Sequence, residues 1–316
     1  MTSLGATTQL LEMVCAAIAA PAFLGWVNQC RAWLQNRSAP SLLQPYYGLS
    51  KLFRKDAVLA ESASPLFVVA PYVVFGAMVV AAAIIPSMGT GLPLSTAADG
   101  IALVGLLATA RVFLSLAAMD VGTAFGTLGA RREMMVGFLA EPALLMVLFV
   151  AAMISKTTSL PLIAEGLATR SIGLYPSLAF TAVAFLLVLL AENARIPVDN
   201  PATHLELTMI HEAMLLEYSA RHLALMEWGA ALKLLNYACI GFALFIPWGT
   251  STEAAGPAGL LLAVPLLVLK LGFAGIGLAL IETLSAKLRV FRAPEFLATA
   301  FLLAVLGLLV HLLLGT

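Results

Sequence analysis

The stretch "ENARIPVDNPATHLELTMIHEAMLLEYSARH", Glu192 to His222, holds five carboxylates (Glu192, Asp199, Glu206, Glu212, Glu217) and three histidines (His204, His211, His222). Carboxylates and imidazoles at this density can ligate a metal or pass protons. Metal ligation has the weaker pattern: the histidines are seven and eleven residues apart, "HEAML" lacks the second histidine of a His-Glu-x-x-His zinc site, and no cysteine is near. Proton handling remains, alongside the plainer alternative that these groups face water or line an interface.

Other ionisable residues stand outside this stretch. Glu141 and Glu227 lie near the starts of apolar runs, Glu282 ends another, and Arg111, Lys233 and Lys270 fall about ten residues inside theirs. At about 1.5 Å per residue that is about 15 Å, too deep for easy snorkelling. A charge at such depth costs about 2.5 to 3.5 kcal/mol and tends to mark an ion path or a proton relay. Structural ion pairing is the competing account for the three cations. Glu212 and Glu282 fit a solvated or helix-capping role, whereas Glu141, Glu206, Glu217 and Glu227 fit a proton path.

These groups are set in a chain of 316 residues that is 61% hydrophobic and 11% charged, against about 25% charged in soluble domains. Apolar runs of about 20 residues recur at 8 to 27, 66 to 86, 100 to 119, 137 to 154, 173 to 191, 223 to 247, 257 to 283 and 294 to 314. The fold class is therefore all-α: a polytopic membrane protein with about eight transmembrane helices in a single domain over 1–316. Runs this continuous exclude the alternating pattern of a β-barrel. The first run starts with no basic segment and exceeds a signal-peptide core, so it reads as a retained helix.

Lysine and arginine sort by connection. The odd ones hold Arg31, Arg37, Lys51, Arg54, Lys55, Arg131, Arg132, Arg195, Arg221, Lys287, Arg289 and Arg292, and the even ones only Lys156 and Arg170. The positive-inside rule then places the odd connections in the cytoplasm and both termini outside, in a prokaryotic inner membrane. The formal net charge is zero, which gives no reason to expect nucleic acid as a partner.

Three cytoplasmic loops are expected, at 28–65, 120–136 and 192–222. In the last, Thr203 and Glu206 form a capping box that predicts a helix running toward His222, with histidines on one face and Glu206 and Glu217 on the other. In the first, Gln44, Tyr46 and Tyr47 precede a basic amphipathic tail of Lys51, Arg54 and Lys55. That surface suits docking of a cytoplasmic partner, together with Arg195, or anchoring to anionic lipid. Cys15, Cys30 and Cys239 are isolated and offer no cluster-binding pair, so no cofactor or metal is expected in this chain. Gly275 and Gly277 read as small residues at a helix crossing.

"PSLLQPYYGLSKLFRKD" (Pro40 to Asp56) and "ENARIPVDNPATHLELTMIHEAMLLEYS" (Glu192 to Ser219) resemble the signature loops of the NADH:quinone oxidoreductase subunit 1 family. The likeness is nearest its branch in energy-converting membrane-bound nickel–iron hydrogenases, of the formate hydrogenlyase subunit 4 and hydrogenase-4 component C type. Glu192, Arg195, Pro197, Asp199, Pro201, Glu206, Glu217 and Tyr218 match the fifth-loop pattern; Glu227 with Trp228, and Glu141, match acids that open helices. The resemblance implies a membrane anchor and coupling subunit. Its partners would be a small iron–sulfur subunit, a large nickel–iron subunit and antiporter-like membrane subunits, with the clusters and the nickel–iron site held by those partners. Where quinone-reducing members have further acids and a Gly-Phe-Asn, this chain has "ATH" and "MIHEAMLL", which favours the hydrogenase branch. A quinone-reductase subunit is the alternative within the family, and a stand-alone proton or cation transporter the alternative outside it.

Overall fold

The computed structural model describes residues 3–91, 93–96, 99–169, 175–199, 209–251, 256–286, 288 and 292–314. Eleven α-helices cover most of them: α1 Ser3–Leu34, α2 Gln44–Phe53, α3 Pro65–Ile84, α4 Gly100–Asp120, α5 Ala124–Ser155, α6 Leu160–Ala168, α7 Pro176–Glu192, α8 His211–Leu215, α9 Ala220–Phe245, α10 Gly256–Leu284 and α11 Ala293–Leu314. Seven of these are long and apolar enough to cross a bilayer, and α7 is a shorter apolar eighth. This agrees with about eight spans.

Local chemistry fixes the helix starts. The Ser64 hydroxyl accepts from the Leu66 N–H ahead of Pro65, the Asp99 carboxylate caps α4 through the Ile101 N–H, and Thr123 caps α5 through the Gly126 N–H. The Thr123 cap changes one expectation. The loop foreseen at 120–136 shrinks to the turn 121–123, because α5 begins at Ala124 and carries Arg131, Arg132 and Glu133 as helical residues.

The connections separate onto two faces. On one, Ser219 Oγ bonds both the N–H and the carbonyl of Val58, Ser62 Oγ donates to the Val121 carbonyl, and the Leu288 N–H reaches the Pro197 carbonyl. On the other, Gly89 bridges Ser251 and Asp99 bridges Ser159. All the odd connections meet on the first face, as an alternating bundle requires.

Inside, α3, α4, α5, α7 and α11 pack in succession, while α9 closes against α1 and α3. Alanines such as Ala70, Ala81, Ala140, Ala143, Ala300 and Ala304 are buried at these crossings, which lets the backbones approach. Gly275 does the same: a Cβ there would stand 2.8 Å from Trp26 Nε1, whose N–H donates to the Gly272 carbonyl. Gly277, by contrast, faces open space. Leu261, Leu262, Leu269 and Phe273 on α10 point outward as a lipid-facing surface would.

Candidate functional site

Arg111 sits nine residues from the end of α4, about 14 Å along the helix, and its side chain is 5% exposed. It engages three acids. Nη1 lies 2.5 Å from Glu141 and Nε 3.4 Å from Glu133, both on α5, and Nη2 pairs with Glu192 at the end of α7. Lys233 on α9 holds the other oxygen of Glu192, at 2.9 Å. Four membrane helices thus contribute to one cluster.

The slot for Arg111 is cut by Gly137, one turn after Glu133. A Cβ at that position would lie 2.6 Å from Arg111 Cδ and 2.9 Å from Cζ. Three carboxylates against two cations leave the cluster at −1 when every group is ionised, so it takes up one proton to become neutral.

A second buried ion group lies nearer the face of the odd connections. Glu282 on α10, 1% exposed, is 3.1 Å from Arg195 Nη1 and 3.5 Å from Arg31 Nη1. The solvated or capping role expected for Glu282 is therefore wrong: its ion pairs carry it inside. Burial pulls Arg195 below the ordinary arginine value, and the Glu282 carboxylate opposes that shift.

The remaining sequence candidates are dispersed. Lys233 pairs with Glu192, not with Glu227, which is exposed, as is Glu217. Lys270 is apart from the cluster; its ammonium donates to the Ile246 carbonyl at the end of α9, 2.7 Å away, and lies 5.8 Å from the Phe242 ring centre. A helix C-terminus is a favourable seat for a cation, which gives this lysine a local partner. Thr203, His204 and Glu206 lie outside the described residues. The continuous helix expected through them to His222 is interrupted: α8 ends at Leu215, α9 starts at Ala220, and His211 and His222 are on different helices. His222 is buried with its ring edge toward Tyr72.

Asp199 is buried, and its carboxylate accepts the N–H groups of Ile210 (3.3 Å) and His211 (3.2 Å). It fixes the return of the fifth loop toward α8. Tyr218 stacks on Phe67 with centroids 4.0 Å apart and donates to the Phe67 carbonyl; burial raises its phenol above the usual value.

In the first loop the two tyrosines differ. Tyr46 turns inward, its hydroxyl donating to the Ile18 carbonyl on α1, and burial raises its phenol. Tyr47 is 62% exposed, beside exposed Gln44, Lys51, Arg54 and Lys55.

Two buried acids escaped the sequence reading. Glu133 carried a signal: it precedes Glu141 by eight residues on the same helix. Glu12 was hidden inside the first apolar run; it is fully buried, with one oxygen accepting the N–H groups of Met88 (3.0 Å) and Gly89 (2.6 Å).

A bundle of membrane-crossing helices with a charge cluster across four of them defines a multi-pass integral membrane protein. The chain belongs to the NADH dehydrogenase family, whose profile matches residues 8–313. It is 34% identical to formate hydrogenlyase subunit 4 of Escherichia coli (strain K12) over 296 residues, 92% of this chain and 94% of that one. It is 35% identical to hydrogenase-4 component C of the same organism over 245 residues, 77% of this chain and 76% of the relative. Its fold matches a chain of the membrane-bound sulfane sulfur reductase, an archaeal respiratory membrane complex, with a TM-score of 0.81 at 20% identity, covering 95% of this chain and 96% of that one. The resemblance read from the two loops agrees with these relationships.

Proposed function

We propose that this chain is the membrane anchor and coupling subunit of a membrane-bound nickel–iron hydrogenase complex of the formate hydrogenlyase kind. The face formed by the odd connections would be cytoplasmic and would dock the redox arm. The observation that carries the coupling role is Arg111 bound to Glu133, Glu141 and Glu192 with Lys233 on the far side of Glu192. Such a cluster exchanges a proton whenever a neighbouring charge changes, because its neutral state needs one more proton than its fully ionised state.

The docking role rests on α2. Tyr47, Lys51, Arg54 and Lys55 are exposed on a helix that Tyr46 ties to α1, a rigid platform with an aromatic and basic surface. Iron–sulfur and nickel–iron centres belong to the partner subunits in this reading, and antiporter-like membrane subunits would flank the bundle. The names and coverage of the two curated relatives support the hydrogenase assignment.

Affinity purification of the tagged chain from gently solubilised membranes tests the assignment. Co-purification of iron–sulfur and nickel–iron subunits with hydrogen-evolving activity is expected. A chain that purifies alone and conducts protons when reconstituted would replace this reading with that of a transporter.

A further inference from the structure

Two small cavities adjoin the charge cluster, and one histidine borders both. The larger, about 90 Å³, is lined by Glu192, Arg195, His211 and Lys233, and the smaller, about 30 Å³, by Arg111, Glu133, His211 and Lys233. Water occupies about 30 Å³ per molecule in the liquid, so these spaces suit about three waters and about one. A cavity of about 150 Å³ is what a benzene ring fills, so the larger space suits water and not a ring-sized ligand. Most of both walls is apolar, and the charged groups with His211 supply the polar partners a water would need.

His211 is held at this boundary by its backbone. Its N–H and that of Ile210 are both bound by the buried Asp199 carboxylate, and α8 packs on α4 and α5. The charged groups around it come from every neighbouring element: Arg111 from α4, Arg132 and Glu133 from α5, Glu192 from α7, Arg195 and Asp199 from the fifth loop, and Lys233 from α9. Glu212 follows it on α8. Imidazole can bind a proton on one ring nitrogen and release one from the other, which suits a group between two water chambers.

We propose that His211 is a proton-relay residue connecting the chamber beside Arg195 to the chamber beside Arg111, with Asp199 as its positioning residue. This rests on the proton-coupling reading above and names the group through which protons enter or leave the cluster. In one transfer, a water-borne proton in the larger chamber forms an N–H bond at one ring nitrogen. The N–H bond at the other nitrogen breaks, and its proton passes to water in the smaller chamber and on to Glu133. The ring returns by exchange of tautomers, with no electron gained or lost.

The test uses the assembled complex in sealed vesicles, with proton uptake measured against hydrogen evolved. His211→Ala should lower the proton uptake in excess of that consumed in forming hydrogen by about 100-fold, the scale of a lost proton-transfer group, with the subunits still assembled. Added imidazole should restore uptake several-fold, and the far less basic isostere pyrazole should not. His211→Gln, polar and of similar length but unable to relay, should fail in the same way where the alanine variant assembles poorly. Asp199→Asn should give a partial loss that imidazole does not repair. Unaltered uptake in both His211 variants, or equal restoration by pyrazole, would overturn the relay. Failure of the coupling reading would show in the unaltered complex, as hydrogen evolution with no proton uptake beyond that consumed in forming hydrogen, and would overturn both.

Discussion

The Arg111 guanidinium of α4 and the Glu192 carboxylate that ends α7 form an ion pair with 5% and 1% of their side chains exposed. Neither charge is tolerable alone at that depth, and each has further ion-pair partners: Glu133 and Glu141 for Arg111, Lys233 for Glu192. Removing one partner strands another. Arg111→Gln should therefore cost about 3 to 5 kcal/mol of stability, read as a lower unfolding temperature of the purified complex.

Gly137→Ala is a subtler probe of the same pair. The added methyl would press on Arg111 Cδ and Cζ, and overpacking of this kind costs about 1 to 3 kcal/mol. Gly105→Ala, on the helix that carries Arg111 but facing open space, is the control. Thermal unfolding should separate the two, with only Gly137→Ala destabilised.

Glu282 faces two arginines, so its neutralisation leaves Arg31 and Arg195 close together without the carboxylate they share among the described residues. Glu282→Gln should destabilise the complex more than Arg31→Gln, whose side chain is 31% exposed. A double variant Glu282→Gln with Arg195→Gln should lose less than the sum of the singles. Strict additivity in a double-mutant cycle would deny the pairing.

Tyr46 and Tyr47 should part company. Tyr46→Phe removes the tie between α2 and the Ile18 carbonyl and should loosen α2, measured as faster amide exchange there. Tyr47→Ala should leave α2 in place and weaken retention of the soluble arm, measured by the salt concentration that strips it from membranes.

Much of this was legible in the sequence. Apolar runs of bilayer length give about eight spans, since hydrophobic thickness sets helix length directly. Arg111 and Lys233 declare themselves by their depth, and Glu141 by its place at the start of an apolar run. Their partners do not: Glu192 lies 81 residues from Arg111, and no local pattern reveals which helices a bundle brings together. Glu133 was masked by the adjacent Arg131 and Arg132, which read as loop charges until α5 is seen to start at Ala124. Glu282 misled for the same reason, its counter-charges being supplied by α1 and the fifth loop. Lys233 shows the limit of sequence neighbours as guides, because Glu227 on the same helix is exposed while Glu192 on another is the partner. The histidine face failed because it required one helix from Thr203 to His222, and residues 216–219 interrupt it.

The most direct measurement of the coupling role is the number of protons taken up per hydrogen evolved by vesicles carrying the Glu192→Gln complex. This substitution keeps the side chain's shape and removes the charge that Arg111 and Lys233 share. The account predicts an assembled complex whose proton uptake falls to the level needed for hydrogen formation alone. Proton uptake per hydrogen equal to that of the unaltered complex would contradict it.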